Sequence, residues 1–106
     1  MADRGYSHNS ASANGTGNVR TALGSVDGSL YYFNTGGGGS AIFDVIYNPD
    51  PVNGFPWLIY QTLTATHLAS GEVALASIAG YWATRLNGVY SGGGNTGRLS
   101  SFFDFV

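Results

Sequence analysis

The chain reads as an all-β protein, an antiparallel β-sandwich carrying an extended N-terminal arm. Three observations point there. From Val19 onward the apolar runs are short, and several alternate apolar with polar residues. Clusters of Gly, Asn, Asp and Pro separate them. No segment sustains a 3.6-residue apolar period.

Residues 1–18, MADRGYSHNSASANGTGN, are small and polar and follow neither helical nor strand periodicity. They read as an arm, with residues 19–106 as the folded body. Such a segment has too little apolar area to offset about 1–2 kcal/mol of backbone entropy per ordered residue. Arg4, Tyr6 and His8 are its candidate anchors, because a cation and aromatic rings bind where Ser and Gly cannot.

Seven strands are predicted in the body, over 19–25, 29–34, 40–47, 56–64, 72–78, 81–90 and 98–105. Asp27-Gly28 suits a tight hairpin turn. TGGGGS at 35–40 and SGGGNTG at 91–97 read as hairpin loops. NPDPVNGFP at 48–56 holds three prolines and a glycine, and no regular element runs through it. LASGEVALASIA at 68–79 competes as a helix, but Gly71 and the β-rich run after it favour a strand.

Strand alternation assigns the faces. Ala41, Phe43, Val45 and Tyr47 share one side of their strand; Trp82, Thr84 and Leu86, and Leu99, Ser101, Phe103 and Phe105, do the same in theirs. Two such sheets packed face to face make a sandwich. Jelly-roll and immunoglobulin-like strand orders both fit. Ile42, Ile46 and Phe102 fall on the faces turned from the core, where a monomer favours polar groups, and are the predicted oligomer interface.

Composition narrows function by exclusion. The chain has 106 residues, 43% of them hydrophobic, with 7 Tyr, 6 Phe and 2 Trp, enough for one packed domain. Only 9% are charged, against about a quarter in ordinary soluble domains. Lysine and cysteine are absent, which excludes disulfides, zinc-thiolate sites, a cysteine nucleophile, a Schiff base and a P-loop. The four cations Arg4, Arg20, Arg85 and Arg98, with a net charge of −2, give no basic stripe for nucleic acid. MADRGYSHNS has no apolar core of a secretory signal, and no apolar run approaches membrane-spanning length.

No catalytic or metal-binding set assembles, and no cofactor is expected. His8 and His67 lie in no nucleophile motif. Asp44 and Asp104 sit opposite the core and read as solvated acids rather than a glycosidase pair. Asn48, Asp50 and Asn53 have calcium-like spacing without the acidic density of a calcium loop, so Asx turns account for them. GTGN at 15–18 lacks the glycine pattern of a phosphate loop, and Asn14-Gly15-Thr16 is a sequon without a secretory context. Tyr31, Tyr32, Trp57, Tyr60, Tyr81, Trp82 and Tyr90 suggest either a sugar-stacking platform or core packing.

GSAIFDVIY (39–47), PWLIYQTLTAT (56–66), SGEVALASIAGYWATRLNGVYSGGG (70–94) and RLSSFFDF (98–105) resemble, in their order of strands and turns, a β-sandwich module of tailed-bacteriophage virion proteins. Two departures stand out: NPDPVNGFPW replaces the usual turn, and a pair of late-strand arginines is reduced to Arg85. The resemblance implies a non-enzymatic virion protein. A free-standing chain with a polar arm fits a capsid decoration (cement) protein on the capsid exterior, made in the bacterial cytoplasm and bound to the major capsid protein. It further implies homo-oligomers, trimers before dimers, and neither nucleic acid nor membrane as partner. A tail-fibre or tail-tip component and a carbohydrate-binding module are the alternatives.

Overall fold

The computed structural model describes residues 3–36, 39–76, 79–92 and 95–106, the side chains of 88–92, 95 and 96 excepted. Ten strands occur among them: β1 (Arg4–Ala11), β2 (Gly15–Thr16), β3 (Arg20–Thr21), β4 (Gly28–Asn34), β5 (Ser40–Asn48), β6 (Leu58–Ala65), β7 (Ser70–Leu75), β8 (Tyr81–Gly92), β9 (Asn95–Thr96) and β10 (Leu99–Phe105). The first sheet runs β1-β10-β4-β7 and the second β2-β8-β5-β6, with β3 and β9 also paired to β8. Every pairing is antiparallel.

The strand order settles the two alternatives. Pairs nest from the outside inward: β1 with β10, β2 and β3 with β8, β4 with β7, β5 with β6. Pairings β10–β4 and β8–β5 then roll this long hairpin into two sheets. That is a jelly roll.

The predicted inward faces form the core. Trp82, Phe43, Phe103, Phe105, Leu30, Leu86, Leu99 and Val45 are buried between the sheets. Trp82 is central, with ring centroids of Tyr47, Tyr60 and Phe105 at 4.8, 5.1 and 6.4 Å. In β10 burial alternates strictly, as a strand with one core face requires.

Four expectations are corrected. The segment read as a free arm contains β1, an edge strand of the first sheet paired to β10 from Arg4 to Ala11. Its composition is too polar for an apolar core, but its polar groups find partners: Ser7 and His8 are buried among hydroxyls. The strand over 19–25 shrinks to Arg20–Thr21, since the chain turns at Gly24 with φ of 79°. Asp27-Gly28 is no hairpin turn: Asp27 exchanges backbone hydrogen bonds with Val106, and the connection crosses from β3 in one sheet to β4 in the other. TGGGGS likewise links β4 to β5 across sheets rather than closing a hairpin; Gly37 and Gly38 lie outside the described residues. Buried Asn34 secures that crossing, donating from Nδ2 to the Gly39 and Ala65 carbonyls and accepting from the Gly36 and Arg98 amides.

The remaining predicted strands match within a few residues, although Ser77 and Ile78 lie outside the described residues. NPDPVNGFP is a capped turn joining β5 to β6. Asp50 accepts from the Asn53 amide, and Asn48 accepts from the Asp50 amide while donating to the Phe55 carbonyl. Asx geometry holds it, with Gly54 at φ 83° closing the short 3-10 turn Pro51–Asn53.

Candidate functional site

Three polar or aromatic clusters deserve comparison, one between the sheets and one on each outer face. The inner cluster joins β1, β8 and β10. The Ser7 hydroxyl accepts the Thr84 amide at 2.9 Å, and the Ser101 hydroxyl accepts the His8 amide at 2.9 Å. Thr84 Oγ1 lies 2.6 Å from Ser101 Oγ and 2.7 Å from His8 Nδ1. A histidine beside hydroxyls has the groups of a nucleophile–base pair, yet Thr84 and Ser101 are wholly buried. No substrate reaches them; the cluster is a polar clasp. Burial holds His8 below its ordinary pKa, keeping the ring neutral, with a backbone hydrogen bond to Gly15 as the weaker opposing influence.

The second cluster lies on the outer face of the second sheet. Asp44 is not solvated as expected: it is buried and accepts from Thr62 Oγ1 at 2.7 Å, from Arg85 Nη2 at 2.8 Å and from Asn87 Nδ2. Burial alone would raise its pKa, but these donors and the Arg85 charge hold it below the usual carboxylate value. Through these three hydrogen bonds Asp44 bridges β5, β6 and β8. Asp104 stands on the other sheet, paired with Arg4 at 3.1 Å, so the two acids never meet.

The third cluster is the candidate binding face, the outer surface of β1-β10-β4-β7. Register places Tyr6, Phe102, Tyr31 and Glu72 in one row across the four strands. Tyr6 meets Phe102 edge-to-face at 5.2 Å, and Arg4 Cζ stands 5.8 Å over the Phe102 ring. The adjacent row is Ser100, Phe33 and Ser70. Small Ser100 and Ser70 beside large rings leave an open depression of about 840 Å³, rimmed by Asn9, Ser10 and Thr35. Tyr6, Tyr31 and Phe33 are each 40–45% exposed there. Hydrogen bonds from the Ser10 amide to Ser100 Oγ (3.0 Å) and between the Ser10 and Thr35 hydroxyls (3.1 Å) tie β1 to β10 and to the residue that follows β4.

The expected site residues divide accordingly. Arg4, Tyr6 and Phe102, assigned to two separate roles, come together on this face. His8 points into the sandwich. Ile42 and Ile46 belong to the opposite sheet, so the proposed trio is not one surface. Ile46 is only 1% exposed, lying in register between Ile59 and Ala83, and offers nothing to a partner.

The sugar-platform aromatics also scatter. Tyr32 packs on Phe43 at 5.4 Å, and Tyr60 and Trp82 point inward; the Tyr90 side chain lies outside the described residues. Among the described side chains of that set, Tyr31 joins the exposed face. Phe33 was missed, although its alternation with Tyr31 placed both rings on one side. His67 Nδ1 approaches the Gly36 carbonyl at 2.8 Å, a loop contact.

No protein-family model matches the chain, and no curated protein does either. Among solved structures, the globular domain of zebrafish complement 1qA matches with a TM-score of 0.50 at 14% identity, covering 99% of this chain and 95% of that one. The chain is similar in fold to a C1q globular domain. In this C1q-like sandwich, no group of three or more His, Cys, Asp or Glu side chains poised for a metal occurs among the described residues. No helix among them is long and apolar enough to cross a membrane. The aromatic face gathers exposed rings and neutral hydrogen-bonding groups in one open depression.

Proposed function

We propose that the protein is a non-enzymatic attachment module which seats on a protein surface through the outer face of β1-β10-β4-β7. In the setting of the sequence resemblance, it is a decoration protein on the exterior of a bacteriophage capsid, and the surface it meets belongs to the major capsid protein. The observation that carries the reading is the aromatic row of exposed Tyr6 and Tyr31 flanking half-buried Phe102, with exposed Phe33 beside it. Each large ring withdrawn from water contributes roughly 1.5–3 kcal/mol, and tyrosines at the centre of a patch commonly anchor interfaces. The exposed Arg4–Asp104 pair and Glu72 supply a polar margin, as a recognition surface with an apolar centre requires.

Co-sedimentation with capsids lacking the protein tests this. The double variant Tyr31→Ser/Phe33→Ser keeps the fold, because both rings lie outside the core, and is expected to be lost from the pellet. Retention equal to the unmodified protein, with matched thermal midpoints, would overturn the reading.

A second reading rests on a separate feature of the same depression. Asn9, Ser10, Ser70 and Ser100 line the rings with neutral hydrogen-bonding groups, the combination that stacks and orients a sugar. Saturable binding of a neutral oligosaccharide, abolished by Tyr31→Ser, together with undiminished capsid retention, would favour it.

A further inference from the structure

A sheet edge presents unpaired N–H and C=O groups, and monomeric proteins blunt their edges with charge, proline, bulges or brevity. Three of the four edges here are blunted. β1 carries Arg4 and two register irregularities. β7 has Glu72 near its middle. The β2 and β3 edge consists of two two-residue strands. The fourth is β6, eight residues long with sequence LIYQTLTA and no charged residue. Its single irregularity, at Tyr60 opposite Val45 and Ile46, turns that ring inward onto Trp82 and leaves Gln61–Ala65 in regular register. Leu58 and Ile59 are more than half exposed.

We propose that β6 pairs antiparallel with β6 of a second copy, joining two second sheets into one. The choice of a second copy follows from charge. In a two-fold contact every side chain meets the same segment of its twin, so a charged strand would oppose its own sign. An uncharged strand rich in Thr, Leu and Ile meets no such penalty. Overlap of the full strand sets Leu58 of one copy beside Ala65 of the other and Ile59 beside Thr64, pairs that share a face, and with Tyr60 as the extra residue in each copy it brings Thr62 opposite its own twin. Both exposed apolar residues are then covered twice, once in each direction. This edge belongs to the opposite sheet from the aromatic face, so the dimer and the attachment face are independent.

Sedimentation equilibrium of the full chain tests the pairing. The unmodified protein is expected at twice the chain mass. Ile59→Lys/Thr64→Lys places like charges opposite each other and is expected to sediment as a monomer. Ile59→Lys/Thr64→Glu places opposite charges there and is expected to restore the dimer. Should either variant fail to fold, amide exchange of the unmodified protein gives an independent reading: protection over 58–65 is expected to fall on dilution while that of β8 and β10 holds. A monomer or a trimer for the unmodified protein, an unchanged mass for the double-lysine variant, or protection of β6 independent of concentration would each overturn the proposal.

Discussion

β1 and β6 are both eight-residue edge strands, and their fates are opposite. β1 reads RGYSHNSA, mostly polar, yet it places Ser7 and His8 in the interior. β6 reads LIYQTLTA, mostly apolar or β-branched, yet only Ala65 is buried and Leu63 half-buried. Hydropathy alone predicts the reverse. What decides burial is the partner each strand finds. β1 lies against β10 and reaches Thr84 of the other sheet through hydroxyl and imidazole groups, so its polar atoms are satisfied as it enters the sandwich. β6 is held by its ladder to β5 and by Tyr60 over Trp82, and no strand among the described residues pairs with its far side.

The strongest way to break this comparison is to remove β1. Deleting residues 2–16 exposes the β10 edge and empties the places of Ser7 and His8, while also freeing Arg20 and Thr21 from Asp3, whose carboxylate they bond at 2.5 and 2.9 Å. The expected loss is several kcal/mol, a large share of the about 5–15 kcal/mol that holds a domain. Denaturant unfolding measures it. A truncated chain as stable as the full one would make the segment the accessory arm that its composition suggests.

A smaller perturbation addresses the clasp itself. Thr84→Val keeps the shape but takes the hydroxyl partner from His8 Nδ1 and leaves the Ser101 hydroxyl only the His8 amide, and is expected to destabilise by about 1–3 kcal/mol. Gly17→Ala acts on the same region from outside: an added Cβ would stand 2.2 Å from the Ser7 carbonyl oxygen, while the neighbouring Asn18 amide bonds that oxygen at 2.8 Å. Overpacking against backbone is expected to be destabilising by about 1–3 kcal/mol. Thermal melts of both variants alongside Ser12→Ala, an exposed control, check the expectation.

The clasp also predicts a pH dependence. Because burial lowers the His8 pKa in the folded state, the unfolded chain takes up the proton first as pH falls. Stability from this group is complete above the unfolded value of about 6.5 and declines below it until the folded pKa is passed. His8→Asn should flatten this segment of the curve. A second decline begins below about 3.8, where Asp3 and Asp44, both held low by their hydrogen bonds and arginine partners, become protonated in the unfolded chain first. An unmodified protein with level stability between pH 7 and 5 would place His8 in water.

These contrasts explain what was legible in the sequence. Strand identity and core faces were, because alternation in RLSSFFDF and YWATRLN expresses one buried side directly. The jelly-roll order was not, since it depends on which strands pair across long separations. Nor was β1: Ser7 and His8 carry no apolar signal, and their burial rests on partners in Thr84 and Ser101, far along the chain. The aromatic face was half legible. Alternation put Phe102 outward and gave Tyr31 and Phe33 a common side, but only the register of β1 on β10 brings Tyr6 and Arg4 to the same patch.

The smallest expected effect lies on β6, and its smallness is the point. Ile59→Thr removes apolar surface that the single chain already leaves to solvent at 58% exposure, and threonine keeps the β-branched shape suited to a strand. For an isolated chain the change should fall within about 0.5 kcal/mol, the usual range for surface substitutions. Were β6 an ordinary interior strand, as its sequence suggests, replacement of the isoleucine ethyl group by a hydroxyl would be several times more damaging. Measured in dilute solution, a near-zero effect keeps β6 exposed and the contrast with β1 intact. Measured at high concentration, the same variant should lose more stability than it does when dilute, because the side chain is then covered by the second copy. Equal effects at both concentrations would separate the exposure of β6 from any pairing and leave the strand exposed without a partner.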